Sequence, residues 1–134
     1  MTDPFTGQWT LDHEASRFAV PAPAECTQNI EASADGMRAA ERIVSATGAV
    51  IEQSVDARFD GAEYTVIGSP FVDTMTYTRP TPRRIDGVAR KARVVVFTET
   101  VVVSDDGQTL TAMIAFQLPD GRARESVAVF TRMQ

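Results

Sequence analysis

The chain has one cysteine, one histidine and one tryptophan in 134 residues. With Cys26 alone, an intrachain disulfide is excluded. With His13 as the only other soft ligand, a structural zinc site is nearly excluded, because such sites draw four ligands mainly from Cys and His. No apolar run approaches the roughly 20 residues that cross a bilayer as a helix. Met1 to Thr10 lacks the basic start and apolar segment of a secretory signal, so the sequence reads as cytoplasmic, with no membrane partner. Positive charge is in short supply. Thirteen Lys and Arg against 18 Asp and Glu give a net charge of −5, which argues against a nucleic-acid backbone as partner. There is no phosphate loop, dinucleotide fingerprint, nucleophile elbow or metal-ligand cluster, so no cofactor and no metal are expected.

Helical periodicity is missing as well. Apolar residues mostly alternate with polar ones, the pattern of half-buried strands. Five of the eight glycines follow an aspartate: Asp35-Gly36, Asp60-Gly61, Asp86-Gly87, Asp106-Gly107 and Asp120-Gly121. Asp-Gly suits the type I′ turn of a two-residue hairpin, which needs positive φ at both central positions. The sequence therefore predicts an antiparallel meander. Its strands are expected over 7–11 and near 26–33, 36–44, 50–58, 62–66, 72–79, 83–88, 92–103, 108–117 and 122–132. Asp12 can cap a single turn over His13 to Ser16. No linker or low-complexity tract divides the chain, so residues 1–134 read as one domain. Ten short strands must deal with their edges; closing into an up-and-down barrel removes them, whereas a sandwich only protects them.

The opening Phe5-Thr6-Gly7-Gln8-Trp9-Thr10-Leu11 carries Gly-x-Trp at the start of the first strand. This resembles the calycins, the superfamily of lipocalins and fatty-acid-binding proteins. The resemblance implies a lipocalin-like β-barrel in which Trp9 closes one end beneath a basic residue of the last strand, for which Arg132 is the candidate. It covers about seven residues at one end of the chain and a few at the other. Three departures stand beside it. The 12–25 segment is too short and too interrupted by Pro21 and Pro23 for a helix-turn-helix lid. Ala128 and Phe130 occupy the places where fatty-acid-binding proteins offer Arg-x-Tyr to a carboxylate. The usual lipocalin disulfide has no cysteines to form it.

Counting back from two-residue turns assigns the strand faces. About Asp106-Gly107, Glu99 faces Ile114 and Phe97 faces Phe116. About Asp120-Gly121, Phe116 faces Glu125 and Ile114 faces Val127. Both counts put Glu99 and Glu125 on the apolar face, roughly 12 Å apart by strand spacing and rise. The terminal match to Arg-x-Tyr would instead turn Phe130 inward. At Asp35-Gly36 the count sets Ile30 opposite Glu41, among Met37, Ala39 and Ile43; the register at Thr47-Gly48 stays open.

Two carboxylates in an apolar cavity acquire raised, separated pKa values, the condition for general acid–base work. Glu99 and Glu125 are therefore the candidate catalytic pair, the alternative being that each is satisfied by an arginine or a water, or points outward at a strand end. Tyr64, Tyr77, Phe97, Ile114, Phe116 and Glu41 are the candidate ligand-binding residues. Arg93, His13 and Cys26 read as a rim residue, a solvated loop residue and a small buried residue. The leading expectation is a barrel that binds a small, mainly apolar molecule. Its alternative is a cofactor-free isomerase or cyclase, as in natural-product biosynthesis, with one glutamate as acid or base. The sequence assigns no oligomeric state.

Overall fold

A computed structural model, describing residues 2–118 and 120–133, has ten antiparallel strands and no helix among those residues. They are β1 Gly7–Leu11, β2 Glu25–Ala32, β3 Gly36–Val44, β4 Val50–Arg58, β5 Tyr64–Thr65, β6 Thr74–Thr81, β7 Arg84–Lys91, β8 Val94–Val103, β9 Thr109–Gln117 and β10 Ala123–Arg132. The sheet runs in the order β4-β3-β2-β1-β10-β9-β8-β7-β6-β5. This is the up-and-down arrangement expected from the alternation, rolled into a nearly closed barrel. The remaining seam, between β4 and β5, is bridged at one point, where Ser54 and Ile67 exchange backbone hydrogen bonds of 2.9 and 2.8 Å.

The chemistry of the turns differs from expectation. Among the described residues the only non-glycine positions at positive φ are Ala92 (φ 50°) and Arg93 (φ 66°). They form the tight β7–β8 reversal between paired Lys91 and Val94. None of the Asp-Gly pairs is therefore a type I′ turn. Gly107 (φ 73°) and Gly121 (φ 81°) each donate to a carbonyl three residues back, Ser104 and Leu118. Their aspartates keep ordinary φ and use their side chains to accept from the N–H two residues on, at Gln108 and Arg122. Asp86-Gly87 is no turn at all and lies inside β7.

These loop lengths decide the register. About Asp106-Gly107 the expected pairs are found, Glu99 with Ile114 and Phe97 with Phe116. At the next hairpin Leu118 N–H bonds the Arg122 carbonyl, so Arg124, not Glu125, pairs with Phe116. One residue of extra loop turns the whole strand over. Ala128 and Phe130 face the core and are buried, as the terminal match implied. Val127 and Val129 belong to the other face. At Asp35-Gly36 the register moves by two, so Ile30 meets Ala39 and Glu41 meets Gln28. An even shift keeps Glu41 on its expected face.

One end of the barrel is plugged by two arginines stacked on aromatic rings. Trp9 is fully buried, donates its indole N–H to the Phe5 carbonyl at 3.1 Å, and pairs in register with Arg132. The Arg132 guanidinium lies 4.2 Å from the Trp9 ring centroid, a cation–π contact. It also donates to the carbonyls of Pro4, Thr6 and Gly107 at 2.7–2.9 Å. A Cβ at Gly7 would collide with that guanidinium, which explains the glycine of Gly-x-Trp. Beside it Arg79 stacks on Phe5 and Phe59 and binds Asp3 through two hydrogen bonds of 2.8 and 2.9 Å. Burial opposes ionisation of Asp3, but the Arg79 bonds and the Phe5 N–H outweigh it and lower its pKa.

At the opposite end the β1–β2 connection replaces any helical lid. Asp12 accepts from the N–H groups of Glu14 and Ala15, making the expected single turn. The chain then pairs Arg17 with Val127 on β10 before crossing to β2.

Two stability changes follow. Trp9→Ala should cost about 3–5 kcal/mol, the range for a buried aromatic truncation, read as a lower urea midpoint. Ala92→Asn combined with Arg93→Gly should raise stability by about 1 kcal/mol, since it relieves two side chains in the left-handed region. An unchanged midpoint in either case would contradict the packing or the turn geometry described.

Candidate functional site

The alternation that builds the wall also builds its interior. Inward residues enclose a cavity of about 130 Å³. Phe5, from the plugged end, borders it together with Ile30, Met75, Ile85, Phe97 and Leu110. Two polar rows cross this apolar lining at mid-height.

The first row lies on β2, β3 and β4, where Gln28, Glu41 and Gln53 are direct cross-strand neighbours. Gln28 Nε2 donates to Glu41 Oε2 at 2.7 Å, and Gln53 Nε2 donates to Oε1 at 2.8 Å. The buried Cys26 thiol adds a 3.4 Å contact to Oε2. Burial first, then the neighbouring Glu41 charge, raises the Cys26 pKa far above its ordinary value, so this thiol stays protonated and unreactive.

The second row lies on β6, β7 and β8, where Tyr77, Gly87 and Glu99 are in register. Gly87 is needed for space. A Cβ there would lie 3.0 Å from Tyr77 Cε1 and 3.1 Å from Glu99 Oε1, tighter than ordinary packing. The bare backbone of Gly87 lets the phenol and the carboxyl sit side by side. β8, which carries Glu99, is five strands from β3 and Glu41 in either direction round the barrel.

Unlike Glu41, Glu99 receives no hydrogen bond from any described residue, and the surface it keeps borders the cavity. Desolvation, with a smaller contribution from the Glu41 charge, raises its pKa to about 7. Tyr77 is 6% exposed and borders the same cavity; its hydroxyl also has no partner among the described residues. Burial, then the charges of Glu99 and Glu41, raises its pKa well above the usual phenol value.

The structure thus brings Glu99, Glu41, Tyr77 and Phe97 together on the cavity. The other expected residues lie elsewhere. Glu125 is exposed and pairs with Ala115 on the outer face, because the β9–β10 loop is one residue longer than the two-residue turn expected. Ile114 packs against the core beside Glu99 without bordering the cavity. Phe116 sits against Phe97 with ring centroids 5.7 Å apart. Tyr64 turns its hydroxyl away, donating to Asp60 Oδ2 at 2.8 Å. Sequence reasoning missed Gln28, Gln53 and Gly87. The first two share the inward parity of Glu41, and their pairing is visible once the loop lengths are known.

The raised pKa of Glu99 carries a pH signature. The folded protein keeps this proton at pH values where the unfolded chain, with the ordinary glutamate value of 4.5, has lost it. The stability associated with Glu99 is fully present below about pH 4.5 and is lost as pH rises through about 7. The total change should be roughly 3 kcal/mol. In urea unfolding, Glu99→Gln should remove this slope and be the more stable form at alkaline pH. Parallel pH profiles for the two proteins would contradict the desolvation of an unpaired carboxyl.

The barrel is compatible with the calycin resemblance of the chain ends. No protein-family model and no curated protein sequence matches the chain.

Proposed function

We propose that this chain is a single lipocalin-like barrel domain of the calycin type that binds a small, mainly apolar molecule in its cavity. The observation that carries this reading is the pairing of an apolar cavity with polar groups left unsatisfied. Buried polar groups are normally hydrogen-bonded within the protein. Glu41 follows that rule, with two amide donors. Glu99 and the Tyr77 hydroxyl do not, and both border the cavity. Such convergent polar groups in an apolar pocket orient a ligand. The size supports a compact ligand: an engineered apolar cavity of about 150 Å³ takes up benzene. The absence of basic side chains among the described lining residues speaks against a fatty carboxylate.

A second reading, a cofactor-free isomerase or cyclase, is favoured by one specific observation. Glu99 has the raised pKa of a general acid or base near neutral pH, beside a wall shaped to orient a substrate. Glu125 has no part in either reading.

Titration with one-ring aromatic compounds, followed by backbone amide shifts, tests the binding reading. Saturable shifts should centre on Glu41, Tyr77, Phe97 and Glu99. Shifts confined to outward-facing residues such as Glu125 and Val127 would contradict it. Conversion of a bound compound by the native protein, lost in Glu99→Gln with binding retained, would establish the catalytic reading.

A further inference from the structure

We propose that the cavity selects a compact ligand bearing a protonated amine, with the Glu99 carboxylate as its counter-ion and the Tyr77 hydroxyl as a second polar contact. The inference rests on the binding reading above and deepens it. Two carboxyl groups, Glu41 and Glu99, border a cavity with no Lys, Arg or His among its described lining residues. Glu41 is already engaged by the Gln28 and Gln53 amides. Glu99 is not engaged by any described residue, and the cavity-facing Tyr77 beside it is 94% buried, its hydroxyl also without a partner among the described residues.

An ammonium group placed there supplies the donors that Glu99 lacks and neutralises its charge in a low-dielectric setting. Phe97 borders the same cavity, and an aromatic ring is a side chain to which a cation is attracted. A carboxylate in the same place meets two acidic groups and no compensating cation. The apolar remainder of the lining accommodates a hydrocarbon body of about one ring.

Proton linkage gives the proposal a second signature. From β6 the titratable neighbour of Glu99 is Tyr77, and from β3 it is Glu41. The inward residues of the flanking strands, Ile85, Gly87 and Ala89 on β7 and Ala112 and Ile114 on β9, carry no ionisable group. Amine binding should therefore strengthen as Glu99 ionises, between about pH 5 and pH 8.

The test uses four probes of similar size on the full chain: benzylamine, benzyl alcohol, toluene and benzoate. Affinities are read from amide shifts at both pH values. At about pH 8 benzylamine should bind at least about tenfold more tightly than benzyl alcohol or toluene. Its affinity should fall by a similar factor at about pH 5, with benzoate failing to bind at either. Glu99→Gln should abolish the amine preference while toluene still binds. Equal binding of benzylamine and toluene, or an amine affinity insensitive to pH in the native protein, would overturn the amine proposal and leave the binding reading standing. Failure of all four probes would overturn both. The pH dependence of the native protein decides the matter even if the variant does not fold.

Discussion

The pairing of β1 with both β2 and β10 is the constraint on which the rest of the barrel depends. Five residues of the N-terminal strand join two halves of the sheet that would otherwise each present a free edge. Trp9 and Arg132 lock this junction, because the register that pairs the strands also stacks the guanidinium on the indole. The three carbonyls bonded to Arg132 come from the N-terminal segment and from the β8–β9 turn. One side chain therefore ties both ends of the chain to a loop between them. Phe5 continues this plug to the border of the cavity, so the closed end and the candidate site share a residue.

Within that frame the interior divides into satisfied and unsatisfied polarity. Glu41 shows how the fold accommodates an inward carboxylate when nothing else is required of it: an amide from each flanking strand caps its oxygens. Glu99 has the same inward position, but its β7 neighbour is Gly87 and its β9 neighbour is Ile114. Neither can donate from a side chain. A largely desolvated acid without donors costs stability at neutral pH, and the Gly87 gap holds the Tyr77 phenol beside it without consuming its hydroxyl. The barrel bears this cost on the wall of its cavity, which is where a ligand could offset it.

Much of the fold was legible in the sequence because alternation reports on a local property, which face of a strand is wet. The bounds of β1, β3 and β4 follow the pattern closely, and the Gly-x-Trp start pointed to the plugged end. What the pattern does not carry is loop length. Asp-Gly is compatible with several reversals: at Asp120-Gly121 it lies in a loop closed by Leu118 and Arg122, one residue longer than the two-residue turn expected, and at Asp86-Gly87 it is a space in mid-strand. A single residue at Asp120-Gly121 exchanged Glu125 for Ser126 on the inner face. At Asp106-Gly107 the count held, and so the inward placement of Glu99 was legible. Gln28 and Gln53 stayed hidden because a polar residue between apolar ones reads as outward-facing unless its cross-strand partner is known. The true type I′ turn went unseen because Ala92-Arg93 has none of the residues that usually relieve its strain.

The proposed site turns on Glu99 as a half-buried carboxyl, unpaired among the described residues, on the wall of a mainly apolar cavity. Carbon-13 NMR titration of its side-chain carboxyl measures this directly. The structure predicts a midpoint near 7. A midpoint near the unperturbed glutamate value of about 4.3 would contradict it, since it would mean that water or a protein donor already satisfies the group.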